Sequence, residues 1–262
     1  MRCSQCQDLC RQLDITAIET LQTEGFEAAL VTHTVRSSGA ILVAEGRTRQ
    51  RRRFSIAHEL GHFLIPAHRV PADGMLQCTS SQLKMTNQRG VDFRARMEIE
   101  ANQFAAMLLM PPPIVRLQLR QLVEPNLPDL FRLAQRFDVS KEAMARAFVV
   151  YARQSLAVIV VKNGAVLWAY RDARTFPWLE VKRGDPVPAD SVWHHRMLKP
   201  GDHSDLEECE AVTWLSSAKA RKVEALTEQA LDQRNGFGLI LLHAELRDEE
   251  GDGLRATDEG WR

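Results

Sequence analysis

The sequence predicts an α+β chain, with a largely helical first half carrying one buried strand and a β-rich, mixed α/β second half. Three observations carry that prediction. Before residue 154, long segments repeat apolar residues at roughly helical spacing. After it, two strand-length apolar runs, Leu156–Val161 and Ala165–Tyr170, flank Lys162-Asn163-Gly164, and Asn-Gly suits the tight turn of a β-hairpin. With 45% hydrophobic residues over 262 positions, there is enough apolar material for one large domain or two of ordinary size.

In chain order, residues 8–32 read as helical from Leu9, Leu13, Ile18, Leu21 and Phe26, with Gly25 as a possible break. Ser37-Ser38-Gly39 marks a turn, and Ala40–Ala44 reads as a buried strand. A helix is expected from Thr48 to Leu64, stopping at Pro66. The polar stretch Pro71–Asp92, with Gly74, Asn87 and Gly90, reads as a long loop of the kind that often contacts substrate. A helix over Arg94–Met110 must end at Pro111-Pro112-Pro113, because three prolines cannot occupy a helix interior. Residues 114–153 are again helical, with Ser140 placed to cap the last helix. Beyond the hairpin, a helix is expected over Ser216–Gln233 and a strand over Gly238–His243. The acidic tail from Asp248 has little to bury and reads as disordered. The divisions are 1–112, 113–154, 155–247 and 248–262.

Charge excludes little but directs little. The 34 basic and 34 acidic residues cancel, so no global field points to nucleic acid or an anionic membrane. The N-terminus lacks the apolar run of a secretory signal, and no stretch approaches the roughly 18 apolar residues of a membrane span, so the expectation is a cytoplasmic protein. Five cysteines include Cys3, Cys6 and Cys10, but no second cluster completes a four-ligand knuckle, and they read as free thiols.

His58-Glu59-Leu60-Gly61-His62 is an H-E-x-x-H pattern on the second expected helix. Residues i and i+4 share a helix face, so both imidazoles can reach one Zn²⁺. Glu59 then lies beside the metal as a general base for a water whose pKa the metal lowers to about 7. A catalytic zinc needs a third protein ligand and an open fourth position. His68 has the right spacing for one class of zinc peptidase, but that class needs glycine where Ile65 stands, and a β-branched residue resists positive φ. On the helix 94–110, Glu98 and Asn102 share a face, so a carboxylate ligand could sit one turn from a polar partner for a ligand histidine. Glu98 is the preferred third ligand, with Glu100 and His68 as alternatives.

The blocks Arg51-Arg52-Arg53-Phe54-Ser55-Ile56-Ala57-His58-Glu59-Leu60-Gly61-His62 and Glu98-Ile99-Glu100-Ala101-Asn102-Gln103-Phe104-Ala105-Ala106-Met107-Leu108-Leu109-Met110-Pro111 together resemble the ImmA/IrrE family of metallopeptidases. The resemblance spans about residues 10–150. It implies a minimal gluzincin-like, zincin-type catalytic domain followed by a helix-turn-helix-like segment. It further implies a zinc endopeptidase that cleaves helix-turn-helix repressors or antitoxins and so induces stress-response or mobile-element genes. Carried over by position, His58, His62 and Glu98 would be metal ligands and Glu59 the catalytic base. Some members carry a sensory domain where residues 155–247 lie.

Other residues read more plainly. Arg47, Arg49, Arg51, Arg52 and Arg53 read as a solvated helix face, with an acidic partner or phosphates as the alternative. The segment 130–148 reads as helix, turn, helix, but its second helix opens on Ser140, Lys141 and Glu142 and continues with Ala, Met and Phe, so direct DNA reading is not expected. Cys78 reads as a free loop thiol, although its loop could bring it to the metal as an inhibitory thiolate. His33 could serve a developing oxyanion, and His194, His195 and His203 near Cys209 could hold a second metal; both read more simply as surface histidines.

Overall fold

The computed structural model describes residues 9–24, 26–84, 92–195 and 198–247. Expectations for Cys3, Cys6, Gly25, Asn87, Gly90 and the tail from residue 248 lie outside the described residues. Two compact units divide the chain, Met1–Tyr151 and Ala152–Arg262, and both are mixed α and β.

In the first unit, the described part of helix α1 (residues 9–12) leads into β1 (Ile15–Leu21), β2 (Ala28–Thr32) and β3 (Gly39–Ala44). These correct the single helical reading of residues 8–32. Ile15, Ile18 and Thr20 suit a strand, and β1 lies parallel beside β3. β2 is sandwiched between β3 and β4 (Met75–Cys78), so its nearly continuous burial erases the alternation that would have marked it. β4 and the 3-10 turn Gln82–Lys84 also give structure to what reads as a loop.

Helix α2 (Arg49–Leu64) lies against β2 and β3 on one side and α3 (Phe93–Leu109) on the other. Thr48 caps α2 by accepting from Arg51 N at 3.3 Å, and Asp92 caps α3 by accepting from Ala95 N at 2.8 Å. The helices cross closely at Gly61: a Cβ there would meet Phe104 Cδ1 at 3.1 Å and Ala101 Cα at 3.3 Å. Ile15, Leu30, Ile41, Ile56, Leu60 and Met97 form the core between sheet and helices. After Met110 the triproline turns the chain, and Pro112 opens α4 (Pro112–Leu119), where its missing N–H costs no helical bond. α5 (Leu127–Phe137) and α6 (Lys141–Tyr151) follow, joined by Asp138 in the left-handed region (φ 52°), and Ser140 Oγ accepts from Ala143 N at 3.1 Å.

The arginine cluster is not a solvated face. Arg47 and Arg51 hold Glu27 at 3.1 and 2.7 Å, and Arg49 reaches Asp138 at 2.8 Å. Arg52 donates to Thr20 Oγ1 at 2.7 Å. Arg53 is fully buried, donating to the Phe137 carbonyl at 3.0 Å and pairing with Asp138 at 3.2 Å. Arg49, Arg51, Arg52 and Arg53 thereby tie the start of α2, the helix that carries the histidines, to its surroundings.

The second unit is a five-stranded sheet in the order β6-β5-β9-β8-β7. β5 (Ser155–Lys162) and β6 (Ala165–Arg171) form the expected hairpin, with Asn163 at φ 50° and Gly164 at φ 77° in its turn. β8 (Val223–Asp232) replaces the helix expected over 216–233; only α8 (Ser217–Ala220) is helical there. β8 pairs with β9 (Phe237–Leu246) and with β7 (Glu207–Glu208), and its polar Glu228 and Gln229 are buried, which masks the strand pattern. Glu228 accepts from Ser191 Oγ at 2.5 Å and Trp214 Nε1 at 2.8 Å. α7 (Val192–His195) lies against β8. No described helix is long and apolar enough to cross a membrane.

Candidate metal centre

Successive turns of α2 put His58 and His62 on one buried face, and α3 runs alongside to bring Glu98 opposite them. His58 Nε2 and His62 Nε2 are 3.0 Å apart, and Glu98 Oε2 lies 3.3 Å from the first and 3.6 Å from the second. All three residues are fully buried, as is Glu59. A tetrahedral zinc with metal–ligand distances of about 2.0–2.1 Å separates its nitrogen and oxygen ligands by about 3.3–3.4 Å, close to this triangle.

The outer hydrogen bonds set the tautomers. Asn102 Nδ2 donates to the Gln82 carbonyl at 2.9 Å, which leaves Asn102 Oδ1 to face His58 Nδ1, also at 2.9 Å. An amide oxygen only accepts, so His58 carries its proton on Nδ1 and turns the Nε2 lone pair inward. His62 Nδ1 meets His68 Nδ1 at 2.9 Å, and His68 Nε2 meets Glu100 Oε2 at 3.1 Å. Glu100 accepts from His68 Nε2–H, so the neutral His68 accepts from His62 Nδ1–H, and the His62 Nε2 lone pair also turns inward. Burial, followed by the neighbouring His62, lowers the His68 pKa and keeps that ring neutral. Burial likewise lowers the His62 pKa. Two lone pairs 3.0 Å apart, facing a carboxylate oxygen that lacks a hydrogen-bond partner, fit a cation between them. Burial would raise the Glu98 carboxyl, but protons and positive charge on the facing His58 and His62 would take it down to about 2; with both lone pairs turned inward, a cation between them would fill that role.

The structure therefore brings His58, Glu59, His62 and Glu98 together and sets His68 and Glu100 outside them. His68 supports His62 from behind, and Glu100 supports His68. Arg36 secures the same corner, donating to the carbonyls of His62, Phe63 and Ile65 at 3.2, 3.2 and 2.6 Å, and to that of His68. Both carboxylate oxygens of Glu59 are buried without a hydrogen-bond partner. Burial pushes the Glu59 carboxyl well above its ordinary range, the adjacent Glu98 adds to this and the Cys78 thiol opposes it.

The sequence favours a free loop thiol for Cys78, with approach to the metal as the alternative, and the structure places it near the metal-binding atoms, as in that alternative. Cys78 ends β4 rather than lying in a loop, it is fully buried, and its Sγ is 3.6 Å from His62 Nε2 and 3.9 Å from Glu98 Oε1. The ligand atoms of His58, His62, Cys78 and Glu98 all fall within 4.8 Å of one another. The alternation of Leu76 and Cys78 was the available signal, but it shows the inward face only once the strand is known. Burial, then the charges of Glu59 and Glu98, raise the thiol pKa far above its ordinary value. Elsewhere, His33 is exposed, His194 Nε2 meets the Val187 carbonyl at 3.1 Å, and His203 Nδ1 meets the Ser204 carbonyl at 2.9 Å. Among the described residues, the late histidines and Cys209 do not gather into a metal-binding group.

A solved structure described as a Mycobacterium tuberculosis transcriptional regulator has a similar fold, with a TM-score of 0.56 and 16% identity, over 92% of this chain and 70% of that one. No curated protein matches the chain. The peptidase-family model described as the IrrE N-terminal-like domain matches residues 10–148, more than half of the sequence, including α2, β4 and α3, which build the centre, so the chain belongs to the IrrE N-terminal-like family.

Proposed function

We propose that this protein is a zinc-dependent endopeptidase, with His58, His62 and Glu98 as metal ligands and Glu59 as the catalytic base. The observation that carries the reading is the convergence of two inward lone pairs and the Glu98 oxygen beside a buried, unpartnered Glu59. A divalent metal there supplies Lewis-acid polarisation of a scissile carbonyl and lowers the pKa of water. Glu59 takes the proton of the attacking water and delivers it to the leaving amine. Asn102 and His68 hold the two imidazoles in the tautomer that the ligand role requires.

Family membership and the resemblance of the two site blocks support a proposal for the substrate. A helix-turn-helix repressor or antitoxin is the proposed target, and its cleavage would release stress-response or mobile-element genes. The helices α4–α6 would form a helix-turn-helix-like segment (113–154) beside a minimal zincin-like domain (1–112). They support docking rather than DNA reading, because Lys141 lies over the Phe131 ring at 3.9 Å and Arg146 pairs with Glu142 at 3.0 Å. The sheet of residues 155–247 would be an accessory, sensory domain. Buried or half-buried free thiols at Cys10, Cys78 and Cys209 suit a cytoplasmic protein.

The test is co-expression with repressors encoded beside the gene. Chelator-sensitive cleavage is expected, and it should vanish in Glu59→Gln while zinc content stays near one per chain. Cleavage retained in Glu59→Gln would refute the assigned base. A second reading, a non-proteolytic metal-containing sensor, is favoured by the nearness of Cys78 to the position a catalytic water needs. It predicts bound zinc and no cleavage in any variant.

A further inference from the structure

We propose that Cys78 is a fourth metal ligand, so that the resting centre is a closed His₂-Glu-Cys site with no coordination position for water. The inference rests on the metal-centre reading above and adds a latent state to it.

The geometry is the first support. With metal–nitrogen distances of about 2.1 Å and metal–sulfur of about 2.3 Å, the nitrogen-to-sulfur edge of a tetrahedron is about 3.6 Å. Cys78 Sγ stands 3.6 Å from His62 Nε2. With Glu98 Oε1 at 3.9 Å and the four ligand atoms all within 4.8 Å of one another, the sulfur stands at the vertex left open by His58, His62 and Glu98, one small adjustment from the full tetrahedron.

The second support is how firmly the sulfur is held. β4 pairs with β2 from Met75 to Cys78, and the Cys78 carbonyl accepts from Glu27 N at 2.8 Å. Leu76 and Cys78 point inward together while Gln77 points out, so the register that buries Leu76 in the core also aims the thiol at the centre. Neutral thiols serve as small apolar core residues. This one faces two carboxylates and an imidazole instead, surroundings that suit a ligand better than a space-filler. The third support is Glu59, a fully buried carboxylate whose oxygens lie beside the thiol without a satisfied hydrogen bond.

Loading is balanced without an oxidant. The S–H bond of Cys78 breaks as the sulfur–metal bond forms, and the proton leaves to solvent. The closed site then keeps Glu59 idle until the thiolate is displaced from the metal. Displacement needs movement of the β4 end, and β4 is the last strand of its sheet in the order β1-β3-β2-β4.

The full chain loaded with cobalt(II) provides the test. Wild type should show a thiolate-to-cobalt charge-transfer band in the near ultraviolet, and Cys78→Ser should lose it while keeping the metal. Azide added to the wild type should leave the visible spectrum unchanged, whereas in Cys78→Ser it should bind and shift it. Zinc-edge absorption on the wild type alone, which depends on no variant folding, should find one sulfur at about 2.3 Å. Metal bound with only nitrogen and oxygen neighbours would overturn the closed site and leave the peptidase reading standing. Failure of the wild type to bind zinc or cobalt at all would overturn both.

Discussion

Replacing Asn102 with leucine removes the acceptor that fixes the His58 tautomer and keeps a similar volume. In the wild type one 2.9 Å bond holds Nδ1–H, and the same amide is tethered to the Gln82 carbonyl at 2.9 Å. Leucine leaves the buried Nδ1–H unpaired, which costs about 1–3 kcal/mol of folding stability. It also lets the ring rotate or change tautomer, which lowers metal affinity by about 10–100-fold, or about 1.4–2.8 kcal/mol. The two losses separate experimentally: the melting temperature of the metal-free protein reports the first, and zinc competition against a chromophoric chelator reports the second. Asn102→Asp keeps an acceptor facing Nδ1–H while losing the tether, so it should retain affinity within about threefold of wild type, since the ring remains oriented. Leucine and aspartate variants with equal affinities would refute the tautomer argument, because the residue would then be acting only as filler.

Three further outcomes follow from other parts of the chain. Gly61→Ala should destabilise the first unit by about 1–2 kcal/mol, although alanine gains about 1 kcal/mol of helix propensity, because the new Cβ would meet Ala101 Cα and Phe104 at 3.1–3.3 Å; chemical denaturation measures it, and a more stable variant would contradict the close crossing. Asp138→Ala should cost about 3 kcal/mol by leaving the buried Arg53 without its carboxylate, while Asp138→Asn, which tolerates the left-handed backbone, should cost clearly less; equal losses would mean that the ion pair contributes nothing. Burial raises the Glu228 pKa above its ordinary 4.5 despite the Ser191 and Trp214 bonds. A carboxyl raised by folding favours the low-pH state, so stability of the second unit should fall as pH climbs from about 4.5 through the folded pKa and level off above it. Hydrogen exchange of the β8 and β9 amides should show that slope in wild type and a flat response in Glu228→Gln; a slope that survives the substitution places its origin elsewhere.

The legible parts of the fold are those whose signal is local. Thr48 and the proline after Ile65 bracket α2, the triproline ends α3, and Asn163-Gly164 supplies the turn between β5 and β6. The misread parts are strands whose sheet positions cancel their pattern. β2 lies between two neighbours and is buried on both faces, so Ala28–Val31 shows no alternation. β8 hides the charge of Glu228 and the amide of Gln229 inside the second unit, where each has hydrogen-bond partners that come from distant segments. A buried polar residue with a distant partner looks in sequence like a solvated helix position. The arginine cluster misleads for the same reason: its carboxylates, Glu27 and Asp138, lie outside α2.

The candidate centre divides along the same line. His58, Glu59 and His62 come from one helix, and their spacing alone puts them on one face. Glu98 and Asn102 were accessible because a second helix repeats that logic four residues apart. His68 and Cys78 could be named as candidates, but not their places, which depend on how the chain leaves α2. His68 is six residues beyond His62, a spacing compatible with ligation, yet Arg36 gathers the carbonyls of this corner and turns the ring to the back of His62. The corner then returns the chain as β4 beside β2, and that pairing register, absent from any local pattern, carries Cys78 to the front of His62. One histidine thus has a second imidazole behind it and a thiol before it, which makes Cys78 the residue that decides whether the centre rests open or closed.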